Sequence, residues 1–366
     1  MIRTEEMLLN VGPQHPSTHG VFRLVLKIDG EIIVEAKPVI GYLHRGTEKL
    51  AEDLQYTQII PYTDRMDYVS AMTNNYVIVH AVETMMGVQI PERAEYLRIL
   101  AMELNRVASH LLWWGTFILD FGATSPLLYA FRDREMILNL LNELSGARLT
   151  FNYMRVGGVK WDAPEGWIEK VAEFVPYLRE QLKGYHQLVS GNEIFLNRTK
   201  NIGTYTKEDA INYSLSGPNL RSTGVKWDLR KDEPYSIYDR FDFDIVTRDE
   251  GDALARYYVR MGEIEESLKI IEQAVEQFPK EGEIMAKVPK IIKAPKGEAF
   301  VRIEGSRGEI GCYISSDGKK EPYRLKFRRP SFYNLQILPK LLEGESISNL
   351  IAILGAVDIV LGEVDG

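Results

Sequence analysis

Two of the chain's six histidines fall within nine residues, GPQHPSTHG, Gly12 to Gly20, between two prolines and two glycines. Imidazole changes charge near neutral pH, so His15 and His19 could hold and transfer protons. Pro13 and Pro16 fix the local backbone, and Ser17 and Thr18 can hydrogen-bond it, which reads as a rigid loop displaying polar side chains. The same residues also fit a tight turn with incidental histidines. Further along, GYLHRG adds His44 and Arg45, and TDRMDY adds Arg65 and Tyr68. Asp120, in FILDFGA, is almost surrounded by apolar groups near the end of an expected helix. A carboxylate there opposes the helix dipole and needs a partner or a proton. A lone Asp at such a place also fits a surface position.

The elements that must position these groups are legible in part. Residues 21–28 and 31–38 read as strands joined at Asp29-Gly30, a two-residue hairpin signal. Centring the hairpin there pairs residue i with about 59 − i and sets His19 opposite Ile40. The histidine-bearing loop and GYLHRG then share one end of the ribbon. Asp64 reads as an N-cap and Gly87 as a C-cap, predicting a helix over 65–86 with Arg65 and Tyr68 on one face of its first turn. A second long helix is expected from Pro91 to Phe121, ending at Gly122, a third over 129–145 and a fourth over 165–190.

Residues 191–245 read as loop-rich, an aromatic and charged surface for another protein to cover. The 248–278 stretch reads as an amphipathic helix whose charges form a solvated face. From 298 the pattern alternates as a β-meander. Its third strand puts Arg324, Lys326 and Arg328 on one face, for a partner, lipid head groups or plain solvent. Short helices are expected after Pro330 and Ser346. The sum is an α+β protein, a central bundle of long helices with β-rich N- and C-terminal parts. It reads as one domain, 1–366, with parts at 1–62, 63–290 and 295–366.

Composition narrows the chemistry. A formal net charge of −8 disfavours nucleic acid as a partner. The single cysteine, Cys312, excludes a disulfide framework and any Cys-ligated iron–sulfur or structural zinc site wholly within this chain. The first residues are charged where a signal peptide needs an apolar core, so no export is expected. No uncharged apolar run reaches the ~18 residues of a membrane span. SNLIAILGAVDIVLG is interrupted by Asn349 and Asp358. Membrane contact is therefore expected to be peripheral or through partners.

GPQHPSTHG, YLHRGTEKL, TDRMDY, ASHLLWWGTFILDFGA, FNYMRVGGVK, SGPNLRSTGVKWDLRK, RGEIGCYISSDG and RRPSFYNLQ stand in one order over essentially the whole chain. Together they resemble the quinone-site D-subunit family of respiratory complex I, NADH:quinone oxidoreductase. That family shares its fold with the large subunit of nickel–iron hydrogenases, so the resemblance implies a hydrogenase-large-subunit-like architecture. The hydrogenase motif R-x-C-G-x-C stands here as Arg65 to Ser70, with Asp67 and Ser70 at the cysteine positions. D-P-C-x-x-C stands as Asp358 to Glu363, with Val360 and Glu363 at the cysteine positions. All four thiolates are gone, so no metal is expected and a nickel–iron site is chemically excluded.

The resemblance implies that the old metal cavity is one wall of a quinone chamber. Quinone reduction needs a hydrogen-bond donor at each carbonyl and two protons, for which His and Tyr are suited. By position His19 and Tyr68 match the two head-group donors, and Asp120 the carboxylate that orients the histidine and favours its protonated form. His15 matches a scaffold position of the loop. His44, Arg45, Arg65 and Arg148 match places near the quinone or near an iron–sulfur cluster that belongs to the adjacent subunit alone. Arg45 and Arg148 would tune that cluster's field. His80, His110 and His186 are expected to be structural or surface groups. Two departures stand out: Thr150 follows Arg148-Leu149 where many members have a histidine, and the sequence closes on Val364-Asp365-Gly366 where members commonly show Asp-Arg.

The reading is a quinone-binding subunit of a proton-translocating NADH:quinone oxidoreductase. It would sit peripherally on the cytoplasmic side of the cell membrane with B-type iron–sulfur, C-type and H-type membrane subunits, the C-type expected as a separate chain. No G-x-G-x-x-G follows a strand, so NADH is expected to bind in other subunits of the complex. The rival readings are a ferredoxin- or other donor-fed complex of the same build, and a non-catalytic scaffold of the fold.

Overall fold

The computed structural model describes residues 6–14 and 20–366; His15 and His19 lie outside the described residues. Strand β1 (Met7–Val11) pairs antiparallel with β2 (Arg23–Asp29), which pairs with β3 (Ile32–Val39). Sequence patterning missed β1. Asp29 pairs with Ile32 and Arg23 with Val39, so Gly30-Glu31 form the turn and a bulge at Lys27/Ile28 adds one residue. The expected register was therefore short by two to three residues: the turn is one residue later than Asp29-Gly30, with Gly30 taking the positive φ of 64°.

Helices α1 (Thr47–Ala51) and α2 (Tyr56–Thr63) follow, then α3 (Ala71–Met86) and α4 (Glu92–Leu119). The helix expected over 65–86 is corrected here. Asp64 closes α2 instead of opening α3, and residues 64–70 form an irregular turn. Arg65 and Tyr68 thus share no helical face. Helix α4 starts as expected after Pro91, with Glu92 and Glu95 in its first turn favouring the dipole, and ends at Leu119 with Asp120 as its C-cap, two residues before the expected Phe121. Helix α5 (Thr124–Ser145) begins five residues before the expected 129. A short hairpin, β4 (Met154–Arg155) with β5 (Gly158–Val159), leads to α6 (Trp167–Tyr185), and a π-helical turn, His186–Ser190, ends that stretch.

The segment read as loop-rich carries α7 (Glu193–Thr199), α8 (Lys207–Asn212), α9 (Pro218–Arg221) and α10 (Leu229–Asp232). Much of it is interior: Arg221, Asp228, Leu229, Arg230, Tyr238 and Phe243 are buried. Helix α11 (Ala253–Glu276) is not a solvated charged helix either. Arg256, Arg260, Glu263 and Ser267 are buried because distant segments supply their partners. The meander is as expected, β6 (Gly297–Gly305), β7 (Gly308–Ser316) and β8 (Arg324–Arg328), all antiparallel. Its Leu325 and Phe327 face inward. On the other face Arg324 pairs with Glu52 at 2.9 Å.

The chain closes with α12 (Pro330–Leu335), α13 (Leu338–Leu342), α14 (Leu350–Val357) and α15 (Leu361–Asp365). Two apolar cores result. One gathers α2–α6, α11 and the meander. The other joins Leu24, Leu26 and Ile28 of the first sheet to Leu338, Leu341, Ile353 and Leu361 near the chain's other end. That second core carries the GYLHRG loop to the C-terminal helices.

Candidate functional site

Tyr68 projects from the 64–70 turn, whose shape is fixed by hydrogen bonds to side chains. Asp67 Oδ1 accepts the N–H of Val69 (3.1 Å) and of Ser70 (3.2 Å), an Asx turn. Asn105 of α4 clamps the other side, donating to the Val69 carbonyl (3.0 Å) and accepting from Met72 N–H (3.0 Å). These bonds hold Tyr68 at the edge of a cavity of about 530 Å³. Leu112, Trp113, Thr116 and Asp120 of α4 form one wall; Arg307, Asp358 and Val360 lie across from them.

The remaining walls are drawn in by close backbone approaches. The Trp113 indole donates to the Gly355 carbonyl at 2.8 Å, tying α4 to α14. A side chain at Gly355 would come 2.9 Å from the Phe117 ring and 3.3 Å from the Asp120 carboxylate. One at Gly362 would come 2.8 Å from the Met66 carbonyl, so only glycine lets α15 reach the Tyr68 turn.

The floor is ionic. Arg307 sits in the β6–β7 turn yet is buried. It donates to Asp67 Oδ2 at 2.7 Å, to Asp358 Oδ1 at 3.2 Å and to Ser109 at 3.1 Å. Asp358, at a positive φ of 56° after α14, also approaches Arg260 at 3.5 Å. Glu363 of α15 accepts from the Ser331 N–H at 2.9 Å and from the Ser331 hydroxyl. Burial raises the Asp67 carboxyl above the usual range against the opposing pull of Arg307. Burial first, then Asp67, pushes Glu363 up to about 7. Burial likewise raises the Tyr68 phenol, with Asp67 adding to it, so the hydroxyl stays protonated at neutral pH and donates.

The predicted residues fall in three places. Tyr68 and Asp120 line the cavity together. His44, Arg45 and Arg65 lie beyond it, where three distant segments are laced together. Arg45 donates to the Arg65 carbonyl at 2.7 Å, His44 Nδ1 to the Asp365 carbonyl at 2.7 Å, and the Asp365 carboxylate accepts from Gly41 and Leu43 N–H. Arg148 is elsewhere, half-exposed just after α5 and paired with that helix's Glu135 and Asn139. His80 stacks on Tyr76, His110 hydrogen-bonds Glu263 at 3.1 Å and His186 bonds Ser190 at 2.8 Å, all outside the cavity.

Arg307 was missed from sequence, because a charge between Gly305 and Gly308 reads as an exposed hairpin tip. Asp358 did leave a signal, as the charge interrupting an apolar run. The positions matched to hydrogenase cysteines by resemblance, 67, 70, 360 and 363, present two carboxylates, a hydroxyl and a valine, with the Arg307 guanidinium bonded to Asp67. That donor set does not suit a soft thiolate-bound metal. Among the described residues no three His, Cys, Asp or Glu groups are disposed to hold a metal ion.

Comparison with known proteins bears on this cavity. The family described as "Respiratory-chain NADH dehydrogenase, 49 Kd subunit" matches residues 120–294 and 287–366. The chain is 84% identical over 366 residues, all of both chains, to the D subunit of the NADH-quinone oxidoreductase of Bacillus cereus and to that of Bacillus anthracis. It is 81% identical over the same full length to the corresponding chain of Geobacillus kaustophilus.

Proposed function

The chain belongs to the 49 kDa subunit family of the respiratory-chain NADH dehydrogenase, and we propose that the cavity beside Tyr68 receives the quinone head group. As a member it is the quinone-site subunit of an NADH–quinone oxidoreductase complex and works with that complex's other subunits. The observation that carries the site assignment is the placement of a protonated phenol, Tyr68, on the wall of a mostly apolar cavity with a buried guanidinium, Arg307, in its floor.

The iron–sulfur cluster of the adjacent B-type subunit would supply the electrons. As negative charge grows on the quinone oxygens, Tyr68 donates its proton to one carbonyl oxygen and His19 donates to the other. Asp120 holds His19 in its protonated form, and Arg307 stabilises the developing charge from below. Leu112 and Trp113 keep the reacting face dry. Gly20, the residue after His19, lies against Leu361 next to the cavity-lining Val360, which supports that placement. His15 is scaffold. His44, Arg45 and Arg65 fix the rim, where Arg45 acts on the cluster's field; Arg148 acts on it from the end of α5.

The whole of 1–366 works as one unit, peripheral on the cytoplasmic side of the membrane, against the C-type and H-type subunits in a proton-translocating complex. Among the described residues no helix is long and apolar enough to cross a membrane. Tyr68→Phe and His19→Ala test the site in membranes. Quinone reduction by NADH should fall about ten- to a hundredfold, with assembly on a native gel and NADH oxidation by a hydrophilic artificial acceptor preserved. Unchanged quinone reduction in both variants overturns the assignment.

A further inference from the structure

Beneath the cavity lies a group of charges that the two head-group donors do not account for. Three carboxylates, Asp67, Asp358 and Glu363, meet two guanidiniums, Arg307 and Arg260, and all five residues are buried or nearly so. Fully ionised, the group would keep one uncompensated negative charge inside the protein, a costly state that one proton removes. Glu363 Oε1 is buried with no hydrogen-bond partner among the described residues, whereas Asp358 Oδ2 faces the Arg260 guanidinium at 3.5 Å. An acid oxygen left unpaired in this way is where a shared proton can reside.

We propose that Asp67 and Glu363, with the charge of Asp358 beside them, hold one exchangeable proton in common and return it through the cavity floor to Tyr68 after Tyr68 has protonated the quinone. The proposal rests on the quinone-site reading above. Its continuity is structural: Arg307 and Asp358 belong both to the cavity lining and to the buried group, and Asp67 immediately precedes Tyr68. Glu363 is held against this turn because Gly362 packs on the Met66 and Arg65 carbonyls. The three carboxyls are therefore positioning groups that act through Tyr68.

The step balances. Two electrons from NADH reach the quinone through the complex. The Tyr68 O–H bond breaks as an O–H bond forms on one carbonyl oxygen, and the second proton comes from His19. The phenolate then takes the proton from the carboxyl group, which is left with one negative charge more and is reloaded from water.

The groups facing this proton come from every neighbouring element. Asp67 faces Arg307 from the β6–β7 turn, Asp358 from the end of α14, Glu363 from α15, and Tyr68. Asp358 faces Arg260 from α11 and Arg307. Glu363 faces Asp67, Arg307 and the Ser331 hydroxyl from α12. Arg45 reaches the neighbouring Gly362 carbonyl, and the Arg329 guanidinium lies against Gly366.

The test uses the assembled complex in membranes, measuring quinone KM, kcat against pH, and the carboxylic-acid C=O signal in reduced-minus-oxidised infrared difference spectra. In the unaltered complex kcat should fall as pH rises through about 7, with loss of the acid signal on reduction. Glu363→Gln keeps the shape without a transferable proton. It should lower kcat about tenfold, leave KM within about twofold, and abolish both the alkaline limb and the infrared signal, while Glu363→Asp restores them. A normal limb and signal in Glu363→Gln, or a loss carried by KM alone, overturns the proposal.

Should the Glu363 variants fail to assemble, Ser331→Ala decides. Removing one donor to the carboxylate must move the limb to higher pH, and no movement overturns the proposal. Tyr68→Phe in parallel separates the two readings. Full activity there and in His19→Ala sinks the quinone site itself; collapse there with an unaltered pH profile in Glu363→Gln sinks only the shared proton.

Discussion

The molecule buries charge in two adjoining places, and they are built to different ends. Behind the cavity floor, in the helical core, lie Glu103 and Arg106 of α4, Arg221 of α9, Asp228 and Arg230 at α10, Glu263 of α11 and Glu304 of β6. Arg230 donates to Glu103 at 3.0 Å and to Asp228 at 2.8 Å. Arg221 donates to Glu263 at 2.9 Å and to Glu304 at 2.8 Å. Tyr238 adds 2.6 Å to Glu103 and His110 adds 3.1 Å to Glu263. Burial alone would raise these acids, but the guanidiniums win: Glu103 and Asp228 are held below the usual range and Glu263 is brought down to about 2. At the floor, beside an open cavity, burial wins instead: Asp67 rises despite Arg307, and Glu363, whose Oε1 has no hydrogen-bond partner among the described residues, rises with it. Contact with an open cavity separates an ionic group able to trade a proton from a network enclosed in the core.

The largest effect expected from this contrast is in the core. Arg221→Ala leaves Glu263 and Glu304 buried without their cation and should cost about 3–5 kcal/mol. The assembled complex should be depleted on a native gel, whereas Glu363→Gln leaves it intact. Normal assembly of Arg221→Ala with selective loss of quinone reduction would erase the distinction between the regions. A smaller effect belongs to Gly362→Ala, whose added methyl meets the Met66 and Arg65 carbonyls at 2.8 and 3.1 Å. Overpacking against backbone costs about 1–3 kcal/mol. It should appear as several-fold weaker quinone reduction from a displaced Tyr68 turn; unchanged KM and kcat would show that the turn does not fix the phenol.

Glu304 sharpens the comparison, because it is the core acid that rises, to about 7, through burial and the nearby Asp228 despite Arg221. Its folded value exceeds the ordinary 4.5, so the folded state holds more protons between those values and stability falls as pH rises from 4.5 to about 7. Glu263 works oppositely, losing stability only as pH falls from 4.5 toward 2. Glu304→Gln should flatten the dependence between pH 4.5 and 7 of the temperature at which the complex dissociates on a native gel. It should leave the pH profile of quinone reduction alone, since Glu304 does not line the cavity. A shifted activity profile would join the two regions into one proton-carrying system.

What could be read from sequence follows the range of the forces involved. Asp29-Gly30 placed a hairpin and the Pro91-to-Gly122 frame placed α4, because turn chemistry and caps act over a few residues. The α+β class was readable for the same reason, while the hydrogenase-like architecture came only with the motifs that carry the family resemblance. The Tyr68 turn was misread as helix because what unwinds it is remote. Asn105 lies 36 residues from Val69 and Arg307 lies 240 from Asp67. Helix α11 looked solvated for the same reason: the partners that let Arg260 and Glu263 be buried come from α9, α4 and the Asp358 turn. Tyr68 and Asp120 were legible as chemistry-bearing residues, but the floor that joins them was not. Its charges become a group only once the chain's two ends and the meander have met.

The smallest expected effect lies where charge was never buried. Arg324 of β8 pairs with Glu52 at 2.9 Å and with Glu48 at 3.6 Å, its side chain 44% exposed. Water already solvates these groups, so their pairing contributes at most about 1 kcal/mol and is screened by salt. Arg324→Gln should therefore leave assembly and quinone reduction within about twofold of normal, since it removes neither a buried charge nor a cavity group. If assembly instead falls sharply, and more so at low ionic strength, the basic face of β8 is an interface within the complex. Exposure in the isolated chain would then have hidden a third kind of ionic site, one whose pairing is completed by another subunit.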